Sequence, residues 1–222
     1  MATPYDKIYE DLEYRVNALE QKFVAPHQSN LLATPDSYDL DVRAFCVLAH
    51  AAFEEFVEDT CLTLMQKAIS AWELNHCISQ PLLGLIAFQN DAIPTERDES
   101  KPEASFFEHI RRAASDIKAK FSIYLKVDNH GVSTKYLRPM LLSVGLDVPT
   151  EVKWLGSLGQ LAKQRGDIAH HGQARSVPAP ADAIQWVKDC LELCAHIRSD
   201  AKAALFRPSF VHNSQDPIDF AI

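Results

Sequence analysis

From near Tyr38 to about Asn75, the apolar positions Val42, Phe45, Leu48, Ala49, Ala52, Phe53, Phe56, Val57, Thr60, Leu64, Ala68 and Ala71 recur at helical spacing. A helix with an apolar face this wide needs cover from several neighbours, so the stretch predicts the central helix of a bundle. Asp39 or Asp41 is the expected N-cap. The rest of the chain agrees with an all-α reading. Only 7 of the 222 residues are glycine, and β-branched and aromatic residues are scattered among Ala, Leu, Glu, Gln and Lys rather than alternating in short runs.

The periodicity predicts further helices around this one. A first runs from about Tyr5 to Phe23, with Ile8, Leu12, Val16, Leu19 and Phe23 on one stripe and Pro26 closing it. A short apolar helix follows Pro81, and the charged, proline-bearing stretch from Asn90 to Ala104 reads as an exposed loop. Another helix spans about Ser105 to Lys126; Asn129 to Gly131 form a turn; Ser133 and Thr134 cap a short helix that stops at Gly145. The next begins near Thr150, a cap candidate, with Val152, Leu155, Leu158 and Leu161 inward. Asp182 opens a last long helix carrying Ile184, Val187, Leu191, Leu193, Cys194, Ile197 and Leu205. With 47% hydrophobic residues the chain can bury one substantial core, so residues 1–206 are expected to be a single domain and 207–222 a tail.

Several functional classes recede. No apolar run approaches the roughly 18 residues that a spanning helix needs, and the acidic N-terminal residues do not suit a signal peptide; a cytoplasmic, membrane-free protein is expected. The 5 cysteines form no disulfide spacing and read as reduced core thiols; Cys190, Cys194 and His196 lack a fourth ligand, so no metal or other cofactor is expected. A formal net charge of -8 argues against a protein that coats nucleic acid, although the basic residues between Arg111 and Arg175 leave room for a local anion site or simply a solvated face.

The segment from Leu161 to Gly172, LAKQRGDIAHHG, combines an arginine, a histidine five residues later, a second histidine and a glycine. Arginine is a permanent planar cation suited to a phosphate, and histidine exchanges protons near neutral pH. These are the groups needed for RNA cleavage by its own 2'-hydroxyl: a base and an acid move protons, and a cation stabilises the charge gathering on phosphorus. DNA lacks the attacking hydroxyl. On an ideal helix, residues five apart point about 140° from each other. Either the helix breaks, which Gly166 and Gly172 would ease, or a second copy of the chain completes the site across a two-fold interface. By composition alone, an arginine in a last helical turn and a histidine before a glycine are also ordinary helix-end features.

The segment resembles the R-x-x-x-x-H motif of the HEPN superfamily, matched at Arg165 and His170. The stretches VRAFCVLAHAAFEEFVEDTCLTLM and VSTKYLRPMLLSVGLDVP are similar to its RiboL-PSP branch, and the resemblance covers about Tyr38 to Phe206. It implies a HEPN-like helical bundle with additional short helices, dimerising near the motif, and a metal-independent endoribonuclease acting as a toxin or antiphage effector. Products would carry 2',3'-cyclic phosphate ends, and an antitoxin or sensing partner would restrain the activity. Gly166 stands where the family has a polar residue, often Asn, and His171 intervenes between the matched histidine and the glycine; spacing selects His170. The departure at Gly166 supports an alternative, a catalytically silent HEPN module that binds RNA, a nucleotide or a partner protein. Asp167, His171 and Glu54 are candidate supporting residues, Glu54 and Glu55 being equally open to structural ion pairing, and His50 reads as a packed or half-exposed histidine.

Overall fold

The computed structural model describes residues 2–28, 34–88, 106–129, 131–171 and 177–204, with the side chains at 106–110 and 168–171 outside the description. The expected loop from Asn90 to Ala104 and the tail 207–222 lie outside the described residues, as does Leu205. Eight α-helices are described: α1 (Pro4–Phe23), α2 (Ala25–Gln28), α3 (Pro35–Asn75), α4 (Gln80–Phe88), α5 (Phe106–Ile123), α6 (Thr134–Ser143), α7 (Val152–His171) and α8 (Pro180–Ala204). A π-helical turn, Tyr124–Asp128, continues α5.

The long periodic stretch is one helix. α3 has 41 residues, about 60 Å at 1.5 Å per residue. It starts at Pro35 after an extended Thr34 and not at Asp39 or Asp41, because proline's fixed φ suits the first helical position. The two aspartates bind side chains instead, Asp39 pairing with Arg43 and Asp41 hydrogen-bonding His27 at 2.8 Å. At the far end His76 adopts φ 52°, and the Cys77 amide returns to the Ala71 carbonyl at 3.2 Å, a left-handed closure of the last turn.

α1, α7 and α8 pack on α3, and α8 also packs on α1 and on α7, while α4, α5 and α6 cover a further part of α3. Phe45, Phe53, Phe56, Val57 and Leu64 of α3 form the centre of the core with Tyr5, Leu12 and Val16 of α1 and Val187, Leu193 and Ile197 of α8. Leu48, expected inside, is 43% exposed, and Val152, expected to line α7, is 81% exposed. Leu48 lies at the margin of its stripe, between buried Phe45 and Ala52, and Val152 is the first residue of its helix. Glu151 rather than Thr150 precedes α7, its carbonyl accepting from the Leu155 amide. Ser133 precedes α6 without a side-chain cap bond, and α8 begins at Pro180 with Asp182 in its first turn. Cys46, Cys61, Cys190 and Cys194 are buried free thiols and Cys77 is an exposed one.

Two polar ties set the ends of the bundle. Thr3 and Asp6 form a reciprocal capping box at the start of α1, and Asp6 also accepts from Lys202 of α8 at 2.8 Å. At the start of α7, the buried Asp189 of α8 accepts from Ser157 at 2.6 Å and from Gln185 at 2.8 Å, and Glu192 accepts from Lys153 at 2.6 Å and from the Trp154 indole at 3.0 Å. No helix among the described residues is long and apolar enough to cross a membrane.

Candidate active site

α7 is fixed to α8 at its beginning and to the core through Leu158, Leu161 and the buried Gln164. That anchoring delivers Arg165 to a half-exposed position, 42% open, with its guanidinium 3.9 Å from the Glu54 carboxylate of α3. Glu54 is the sequence-nominated carboxylate that reaches the site. Its neighbour Glu55 faces the other way and holds Arg15 of α1.

A third segment completes the seat of the arginine. Gly131, in the turn before α6, has φ +127°, a conformation that costs a residue with a side chain. A Cβ there would stand 2.8 Å from Arg165 Nη1 and 3.4 Å from His50 Cε1. The guanidinium and the His50 ring edge therefore converge on the space that the missing side chain leaves. The turn is tied to α3 on both sides. His50 Nε2 donates to the Val132 carbonyl at 2.8 Å, and Asn129 Nδ2 donates to Glu58 Oε1 at 3.1 Å.

The charges follow from these surroundings. His50 is 1% exposed, and burial pushes its pKa below the ordinary 6.5; the Val132 carbonyl works in the other direction and the Arg165 charge lowers it again. Since a carbonyl only accepts, Nε2 carries the proton and Nδ1 is bare. That buried Nδ1 has no hydrogen-bond partner among the described residues. Burial likewise raises Glu58 and Asp59, with their acidic neighbours adding to the effect. The arginine thus lies beside an acidic face of α3, over a neutral imidazole.

α7 runs without interruption to His171, so no helix break brings Arg165 and His170 together within one chain. The helical geometry leaves them about 140° apart. The side chains of His170 and His171 are outside the described residues; Asp167 is half-buried on the same turn as Arg165. A side chain added at Gly166, Gly156 or Gly159 would meet nothing within 4 Å, so the position after the arginine is open space. On α8, burial pushes the Cys190 and Cys194 thiols up, and His196 turns to Asp200 at 3.3 Å and to the Trp154 ring. Those three side chains serve packing and pairing.

The sequence nominated Arg165 and Glu54, which lie 3.9 Å apart, but not Gly131 or Asn129, and it read His50 as a packed or half-exposed histidine. Asn129 to Gly131 read as a turn, of which residue 130 lies outside the described residues, yet nothing in that composition says which helix Asn129 and Gly131 meet. A chemistry follows from the arrangement: a permanent cation, half open to solvent and fixed from three sides, suits a phosphate or another oxyanion. The family described as RiboL-PSP-HEPN matches the chain over residues 10–203. Neither the curated proteins nor the solved structures compared with the chain match it.

Proposed function

The chain belongs to the RiboL-PSP-HEPN family, and from that membership we propose that it is an endoribonuclease acting as a homodimer, with Arg165 and His170 as the catalytic pair. Arg165 stabilises the negative charge that builds on the phosphate, and His170 moves a proton between the ribose 2'-hydroxyl and the leaving 5'-oxygen. The 2'-oxygen forms a bond to phosphorus as the bond to the 5'-oxygen breaks, which leaves a 2',3'-cyclic phosphate and a 5'-hydroxyl. This route uses the substrate's own nucleophile, so it proceeds with chelator present.

The observation that carries the reading is the seating of Arg165, held by Glu54 and the Gly131 turn inside the region that the family matches. The unbroken helix supports a composite site: two copies of α7 facing each other across a two-fold axis bring the Arg165 of one toward the His170 of the other. Asp167, His171 and Glu54 support the pair. An intracellular RNA-cutting activity needs restraint, so an antitoxin or sensing partner belongs to the proposal, as do a toxin or antiphage role and a cytoplasmic location.

A second reading, a silent HEPN module that binds RNA, a nucleotide or a protein, is favoured by Gly166, which leaves the usual polar position without a side chain. Incubating the pure protein with mixed RNA and chelator, followed by end-group analysis, separates the two. Cyclic phosphate ends that vanish in Arg165→Ala support the nuclease; intact RNA that is nonetheless bound supports the silent module.

A further inference from the structure

His50, Gly131 and Arg165 come from α3, a turn and α7, and they converge on a space the size of one methyl group. The His50 ring is wholly enclosed, and its recorded hydrogen bond goes not to a neighbour on its own helix but to Val132, 82 residues away. A buried imidazole that only filled space would be replaceable by an apolar side chain of similar volume. This one also satisfies the carbonyl of the residue after Gly131, whose φ of +127° a residue with a side chain rarely adopts.

We infer that His50 is a positioning residue for Arg165: by donating Nε2–H to the Val132 carbonyl, it holds the Gly131 turn against α3 and keeps open the gap over which the guanidinium lies. His50 does not touch the phosphate; it acts through Arg165. The charged groups around the seat are Glu54 on the same helix and Arg165 on α7, with Glu58 tied to the turn through Asn129. The bare Nδ1 of the imidazole offers the cation no competing N–H. This inference rests on Arg165 as the phosphate cation of the proposed reaction.

The test is a cycle of variants in the full-length protein. His50→Leu fills the volume without a donor, His50→Asn keeps polarity but falls short of the Val132 carbonyl, and His50→Gln restores a donor near the Nε2 position. Cleavage of mixed RNA should fall by about a hundredfold in His50→Leu and His50→Asn, the size expected from a displacement of about 1 Å at a reacting group. The loss should fall on kcat rather than KM, and His50→Gln should recover most of it. In an Arg165→Ala background, His50→Asn should cost nothing further, whereas a general loosening of the fold would lower activity there as well. The Nε–Hε NMR signal of Arg165 supplies a readout without turnover: it should move or broaden in His50→Asn and return in His50→Gln. If the parent cleaves no RNA, the nuclease reading fails and the NMR signal still decides the seat. An unmoved signal, or additive losses in the cycle, overturns the role of His50.

Discussion

Arg165 lies on Gly131, its Nη1 2.8 Å from the point where a Cβ would be, so the backbone of one segment is shaped to the guanidinium of another. Neither residue is explained alone. The glycine has a φ of +127° and no side chain, and the guanidinium takes the space that a side chain there would fill.

Gly131→Ala should therefore do two separate things. The added methyl group displaces the guanidinium, which should lower RNA cleavage by about a hundredfold. The φ of +127° becomes strained, at a cost on the order of 1–3 kcal/mol. Thermal melting measured beside turnover separates the two, and a variant with parental activity would mean that Arg165 does not need this seat.

Arg165→Ala and His170→Ala should each reduce cleavage by about a hundredfold or more, the size of a lost transition-state cation or a lost general acid or base. Folding should survive Arg165→Ala, since a half-exposed ion pair contributes about 1 kcal/mol or less. Arg165→Lys keeps the charge without the planar fork and should recover little. His171→Ala should be the milder histidine variant. A double Ala variant that cuts RNA as fast as the parent would remove the assignment.

Because α7 is unbroken through His171, a site composed of Arg165 and His170 needs two chains. Light scattering should give a dimer at micromolar concentration. Mixing inactive Arg165→Ala with inactive His170→Ala should restore part of the activity, because a mixed dimer pairs one intact arginine with one intact histidine. A monomer with full activity contradicts the composite site.

The buried His50 sets a pH dependence whose sign is fixed. Its folded pKa is below the ordinary 6.5, so between those two values the unfolded chain binds the extra proton. The His50 contribution is complete above pH 6.5 and is lost as pH falls toward the folded value; Arg165 nearby deepens the effect. Urea unfolding at pH 7.5 and pH 5.5, above and below the ordinary 6.5, should show a larger acid loss in the parent than in His50→Gln. Equal losses would place the imidazole outside any proton linkage.

The helices were legible because their stripes are periodic: Phe45, Phe53, Phe56 and Leu64 recur at helical spacing and are all buried. Leu48 and Val152 follow the same stripes and are exposed, since a stripe says which residues share a face but not how far the neighbouring helix extends along it. Residue type and spacing nominated Arg165 and His170, and the His170 side chain lies outside the described residues. The seat of Arg165 was not, because His50, Gly131 and Arg165 are far apart in the chain and carry no common pattern. Only the hydrogen bonds of Asn129 and Val132 to α3 bring them together.

The three glycines of α7 with open space around them, Gly156, Gly159 and Gly166, have no steric excuse. Each costs about 0.5–1 kcal/mol of helix stability relative to alanine, and most helical stability in proteins comes from tertiary packing rather than from propensity. The segment that carries Arg165 is thus ordered by its neighbours and not by its own preference. Cut out as a peptide, it would be mostly coil by circular dichroism; in the protein, the Ser157 and Asp189 contact and the buried leucines impose the helix. Its order is on loan from α8.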